Sequence, residues 1–135
     1  MSIITFASED VKETGQSLSV AAIATAMAIE HNYKILVFST DFLDKTLESC
    51  IWNLNIRRGG LFSSANVMDV SNGLEGLVRT FASNRASSDI IRSYAKPVLK
   101  DRLDVLQSSK TVDYKEYGII SKYFFQIADV ANTYY

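Results

Sequence analysis

A chain of 135 residues, 47% hydrophobic and 21% charged, has the balance of a single globular domain or part of one, which excludes a disordered chain. Its net charge of -1 excludes an overall basic field for nucleic acid, and its one cysteine, Cys50, excludes an internal disulfide framework. No apolar run reaches the roughly 18–20 residues that span a bilayer, and the N-terminus lacks a basic region leading into an apolar core, so the expected compartment is a reducing cytoplasm.

Ile3-Ile4-Thr5-Phe6-Ala7 is a short β-rich run and predicts a first strand. The loop Ser8-Glu9-Asp10-Val11-Lys12-Glu13-Thr14-Gly15-Gln16-Ser17 follows. A helix is expected from about Gln16 to about His31. Val20, Ala21, Ile23, Ala24, Ala26, Met27 and Ile29 lie almost all round it, so burial is expected on most faces. Asn32 can end it in a left-handed conformation. Lys34-Ile35-Leu36-Val37-Phe38 is a continuous apolar run after its lysine, as in a parallel strand covered on both faces, and it ends in Ser39-Thr40-Asp41.

Thr46 to Leu54 reads as a short helix, broken by Arg57-Arg58-Gly59-Gly60. Residues 66–83 contain another, with Leu74, Leu77, Val78 and Phe81 on one face. Ser87 or Ser88 is the expected N-cap of a helical stretch that Pro97 ends or kinks. Arg102-Leu103-Asp104-Val105-Leu106 alternates and predicts a strand. From Val112 to about Thr133 one long amphipathic helix is expected, with Ile119, Ile120, Tyr123, Phe124, Ile127, Ala128 and Ala131 as its stripe. Strands alternating with helices predict an α/β fold with a parallel sheet. A doubly wound fold would next place a central strand, so 1–135 reads as the N-terminal part of a longer domain. Tyr134 and Tyr135 are then expected to pack on an element outside it.

Strand, loop, helix, strand and acidic loop is the layout of a phosphate-binding βαβ unit. A P-loop, G-x-x-x-x-G-K-[ST], wraps phosphates in backbone N–H groups at a helix N-terminus, and its lysine and hydroxyl serve the phosphates and Mg²⁺. Aligned on Gly15, Asp10 takes the first glycine position, Gln16 the lysine position and Ser17 the hydroxyl position. The second glycine and the serine match.

Over the whole segment from Ile3 to Asp41 the chain resembles the N-terminus of the ParA/MinD family of deviant Walker ATPases. Lys12-Glu13-Thr14-Gly15-Gln16-Ser17 is similar to that family's K-G-G-V-G-K-T loop with one residue missing. The resemblance implies a three-layer P-loop NTPase-like domain with a parallel sheet, incomplete at its C-terminus, and 1–135 as a single partial domain. It implies a nucleotide loop of Lys12, Glu13, Thr14, Gly15, Gln16, Ser17 and Leu18. Lys12 corresponds to the signature lysine that reaches a partner's nucleotide; without the gap, Val11 takes that place. Asp41 matches the switch aspartate near the attacking water and the Mg²⁺ shell, and Ser17 the Mg²⁺ hydroxyl. The strand at Arg102 to Leu106 and the long helix after it are similar to what precedes the Walker B strand, whose aspartate would lie beyond Tyr135. That strand lies beside the first one in the family's sheet. Residues 1–135 alone are therefore expected to leave backbone groups unpaired and to be poorly stable. The implied cofactors are ATP and Mg²⁺. The implied partners are a second copy when nucleotide is bound and a protein cargo, as family members position or partition plasmids, division machinery, pilus or secretion complexes.

The departures bear on the chemistry. A neutral amide at Gln16 contributes about 1 kcal/mol per hydrogen bond, where a charged group contributes roughly 1.5–3 kcal/mol. Glu13 adds a negative charge near the phosphates. The expectation is a nucleotide-binding switch with weak or absent hydrolysis. The alternative is a pseudo-ATPase scaffold that binds proteins without nucleotide. A receiver-like domain is a third reading: Glu9-Asp10 supplies its acidic pair, but no late strand carries its lysine. Structural alternatives stand beside each site residue. Lys12 can be a solvated loop lysine, Gly15 a tight turn and Ser17 a helix cap, while Asp41 and Asp44 can cap the helix near Thr46. His31 suits a helix C-terminal dipole, Cys50 a buried structural thiol, and Arg57-Arg58 a solvated turn.

Overall fold

The computed structural model describes residues 2–7, 15–41, 46–56, 73–85, 87, 89–109 and 113–135. Helix α1 (Gln16–Glu30) leads into strand β1 (Ile35–Phe38), and α2 (Thr46–Ile56) follows. Helices α3 (Leu74–Ala82) and α4 (Ile90–Tyr94) precede a hairpin of β2 (Lys96–Leu99) and β3 (Leu103–Leu106). Helices α5 (Tyr114–Ser121) and α6 (Phe124–Ala131) come last. Loop residues 8–14, including Lys12, Glu13 and Thr14, lie outside the described residues, as do Asp44 and the break at 57–60.

The fold is mixed α/β, with a three-stranded sheet in the order β1-β3-β2. Strands β1 and β3 are parallel, Ile35 opposite Leu103 and Phe38 opposite Leu106. Strand β2 is antiparallel to β3, so the sheet is mixed and not wholly parallel as the sequence suggests. Pro97 explains why β2 escapes a sequence reading. It stops α4, but it also stands in the strand, at an edge where a missing N–H costs no ladder bond on the open side. The hairpin turn Lys100-Asp101 closes with Arg102 N–H donating to the Leu99 carbonyl at 3.0 Å. Asp101 takes φ 60°, a left-handed conformation that Asp tolerates.

The run from Ile3 to Ala7 forms no strand, and Ile3 and Ile4 are 68% and 60% exposed. β-propensity expresses itself against a neighbouring strand, and among the described residues none pairs with the run. The other strands alternate as their period of two requires. Val37, Leu103 and Val105 face a cluster with Ala21, Ala24 and Ala28 of α1 and Leu47 and Ile51 of α2. Leu36, Phe38 and Leu106 face the opposite cluster, built from α3, α4, α5 and α6 around Leu77, Phe81, Ile91 and Ile127. The face of α3 expected from its spacing is buried at all four positions.

Helix α1 departs from expectation. Its buried stripe is Ala21, Ala24 and Ala28, while Leu18, Ile23 and Ile29 are 63%, 42% and 66% exposed. Alanines let the helix lie close to the sheet, and that close, narrow contact leaves the larger side chains turned away. Cys50 is half-buried against this cluster rather than enclosed in it.

Helix ends were the least legible feature. Helix α1 ends at His31 in extended conformation, not at a left-handed Asn32. The cation at that end is Arg102, whose guanidinium donates to the carbonyls of Ala28 at 3.3 Å and His31 at 3.0 Å. That satisfies terminal carbonyls and places positive charge on the negative end of the dipole. The His31 ring packs against Tyr33. Helix α3 closes with Asn84 at φ 54°, its N–H and that of Arg85 returning to the carbonyls of Phe81 and Thr80. Asp89, not Ser87, is the N-cap residue of α4, and no side chain caps it. The expected long C-terminal helix is two, α5 and α6, interrupted at Lys122 and Tyr123. The interruption accompanies stacking of Tyr123 on Phe81 and an edge-on contact of Tyr117 with Phe124.

Tyr134 and Tyr135 pack on this chain itself. The Tyr135 hydroxyl donates to Asp104 Oδ2 at 2.6 Å, and the two tyrosine rings meet edge-on. Among the described residues no helix is long and apolar enough to cross a membrane.

Leu77 is fully buried in the larger cluster. Leu77→Ala is expected to cost about 2–5 kcal/mol in urea unfolding, and Leu18→Ala, on the exposed face, within about 0.5 kcal/mol of zero. Burial, and then the bond to Asp104, raises the Tyr135 phenol above its ordinary 10.0. The native state keeps a proton that the unfolded chain releases, so this contribution is complete below that pH and is lost as pH rises beyond it. Tyr135→Phe should therefore show a shallower loss of stability than the parent chain in melts taken across the alkaline range.

Candidate nucleotide site at the carboxyl edge of the sheet

Strands β1 and β3 end side by side at Phe38 and Leu106. In open α/β sheets, ligands bind outside the carboxyl ends of parallel strands. Helix α1 runs back along the sheet, with its C-terminus held by Arg102 at the start of β3. Its N-terminus therefore lies at the carboxyl edge, beside the start of α2.

Gly15 opens α1 at φ 67°, ψ 9°, and its carbonyl accepts the Ser19 N–H at 2.9 Å. Nothing lies within 4 Å of where a Cβ would stand, so it is the left-handed backbone that asks for glycine there. The N–H groups of Gln16, Ser17 and Leu18 have no acceptor within the helix, because a first turn never supplies one. Together with the dipole they favour an anion.

The side chains are arranged less simply. The Gln16 amide donates to the Phe6 carbonyl at 2.6 Å, tying α1 to the 2–7 segment. Ser17 is not the helix cap; its Oγ accepts from Thr46 Oγ1 at 2.7 Å and joins the first turn of α1 to that of α2. Asp41, half-buried, follows β1 with its backbone N–H donating to Ser39 Oγ at 3.1 Å. The Tyr117 hydroxyl of α5 donates to the Thr40 carbonyl at 2.7 Å. Burial first, and then the negative charge of Asp41, raises the Tyr117 phenol. Gly15, Gln16, Ser17 and Leu18 open α1 toward the same end of the sheet at which Asp41 follows β1.

A second set of residues there is absent from the sequence reading. Glu48, in the first turn of α2, is 8% exposed. Its Oε1 accepts from the Ser108 N–H at 2.6 Å and Ser108 Oγ at 2.5 Å, and its Oε2 is buried with no hydrogen-bond partner among the described residues. Buried Ser109 donates to Glu75 Oε1 of α3 at 2.8 Å. Gly73 sits at φ 94°, where a Cβ would stand 2.9 Å from the Gln107 carbonyl oxygen, and the Leu74 N–H donates to that same oxygen at 2.9 Å. Gln107-Ser108-Ser109 is therefore clamped by α2 and α3. The available signal was a carboxylate in the first turn of each helix and a serine pair two residues after a strand.

Mg²⁺ is commonly held by one or two carboxylates together with phosphates and waters. Here Asp41 is one carboxylate and Ser17 one hydroxyl, and among the described residues no group of three or more His, Cys, Asp or Glu is placed to hold a metal ion. Asp41, Glu48 and Glu75 bring three carboxylates to this edge, and Lys96 opens β2 opposite Val105. The arrangement thus offers an anion the backbone N–H groups of a first helical turn, with no lysine clamp among the described residues. Comparison with protein-family models, with curated proteins and with solved structures returns no match.

Glu48→Ala would leave the Ser108 N–H without its acceptor and is expected to destabilise by about 1–3 kcal/mol. Glu48→Gln keeps an acceptor in place and should fall closer to the parent chain in the same urea titration.

Proposed function

We propose that this chain is a ParA/MinD-like nucleotide-binding switch of the three-layer P-loop type, taking ATP with Mg²⁺ and hydrolysing it weakly or not at all. The observation that carries the reading is a helix opening on a left-handed glycine at the carboxyl edge of two parallel strands, with Asp41 following one of them. A buried cluster on each sheet face supports the layering. The N–H groups of Ser17 and Leu18 would hold a phosphate, and the Ser17 hydroxyl and the Asp41 carboxylate would face its metal. Bound ATP would supply the phosphoryl group, and its Mg²⁺ would supply the local positive charge. Lys12, by its resemblance to the signature lysine, would act across a homodimer. Gln16 contributes a neutral donor where a triphosphate asks for a cation, and this is the reason to expect slow turnover. A cytoplasmic role in positioning or partitioning a protein-bound cargo goes with this reading. The exposed Leu18, Ile23 and Ile29 of α1 support a protein partner.

The bond from Gln16 to the Phe6 carbonyl favours a second reading, a scaffold that binds proteins without nucleotide. There the former phosphate side chain has become a structural tie.

Calorimetric titration of Mg²⁺-ATP into the full-length chain separates the two. The switch predicts saturable binding, weakened about tenfold or more by Asp41→Ala. An absence of heat would remove the nucleotide and leave the scaffold. Turnover at ordinary enzyme rates, abolished by Asp41→Ala, would contradict weak hydrolysis.

A further inference from the structure

At the other end of the sheet, next to the starts of β1 and β3, lies a cavity of about 320 Å³. Four cations line it, Lys34, Arg92, Lys100 and Arg102, against two carboxylates, Asp101 and Asp104. Four of these six groups have structural duties. Arg102 caps α1, Arg92 pairs with Asp101 at 3.3 Å, and Asp104 accepts the Tyr135 hydroxyl. Among the described residues, neither Lys34 nor Lys100 has a carboxylate within salt-bridge distance. Lys34 instead stands over the Tyr134 ring, its Nζ 4.4 Å from the centroid, and the Arg92 guanidinium lies 5.6 Å from that same centroid.

Two like charges drawn to one ring repel each other, and the ring face offsets this only in part. An anion between them would complete the balance. We propose that this cavity binds a small organic phosphate monoester. Its dianionic head would meet Lys34, Lys100 and the Arg92 fork, and its apolar body the Tyr134 ring and Pro97. An ammonium and a guanidinium match phosphate oxygens as a point charge and as a planar fork. The volume is at the small end of ligand sites. Asp101 and Asp104 limit the site to one dianionic group, and the chain's net charge of -1 provides no wider field for a polyanion. The site stands apart from the start of α1 and does not depend on a nucleotide there.

The test is titration of phenyl phosphate into the full-length chain, followed by calorimetry and by amide NMR. Lys34 and Lys100 are exposed, so Lys34→Gln and Lys100→Gln leave the core untouched. The expected result is saturable binding with one ligand per chain, weakened by added salt and by about tenfold or more in Lys34→Gln. Tyr134→Leu should weaken it too, and Asp41→Ala should not. If Tyr134→Leu fails to fold, the two lysine variants carry the test. Absence of saturable binding, or unchanged affinity in both lysine variants, would overturn the proposal. So would loss of binding in Asp41→Ala, which would put the phosphate at the opposite edge. Inorganic phosphate bound as tightly as phenyl phosphate would overturn the organic part.

Discussion

Strand β3 is paired on both edges and covered on both faces, and Leu103, Val105 and Leu106 are at most 1% exposed. A strand so enclosed must find a partner for each polar group that remains on it or beside it. At its start, Arg102 reaches the end of α1. In its middle, Asp104 accepts the Tyr135 hydroxyl. At its end, the Gln107 carbonyl receives the first N–H of α3, and Ser108 and Ser109 donate to carboxylates of α2 and α3. The positions of three helices, α1, α2 and α3, and of Tyr135 are thereby referred to one strand of four residues and its flanks.

The two ends of the sheet differ in charge for the same reason. First-turn carboxylates suit helix N-termini, and Glu48 of α2 and Glu75 of α3 lie at the carboxyl edge for that reason, with Asp41 in the loop after β1. The amino edge receives the end of α1 and the hairpin turn, and collects Lys34, Lys100 and Arg102. An anion at the acidic edge relies on backbone N–H groups and its own metal. An anion at the basic edge has side-chain charge available. The buried, unpaired Oε2 of Glu48 marks the acidic edge as the place where polar satisfaction is incomplete among the described residues.

Much of the local structure was legible. The helix from Gln16, the strand Ile35–Phe38, the helix from Thr46, the apolar face of α3 and the strand Leu103–Leu106 all follow from apolar period and length. Local propensity misjudged the run Ile3 to Ala7, which had the residues of a strand and, among the described residues, no neighbour to pair with. It also took Pro97 as a stop alone, and the stripe from Ile119 to Ala131 as one helix. In the candidate site, Gly15, Gln16, Ser17 and Asp41 stood out because loop glycine, hydroxyl and acid carry a short-range pattern. Glu48, Glu75 and Ser108 did not, since their partners lie 60, 34 and 60 residues away.

By itself the sequence determined the composition of the elements and their apolar stripes, because period and propensity act over one or two turns of chain. It also showed an amide, Gln16, directly after the glycine that opens α1. Only the tertiary structure decided that β2 runs antiparallel, that α1 buries its alanines and exposes its larger side chains, and that Gln16 bonds to Phe6. It alone brought Arg102 to the end of α1 and Glu48 to the end of β3. Those outcomes depend on which buried polar groups lie within hydrogen-bond reach once the sheet has closed, a condition set by distance in space and not by separation along the chain.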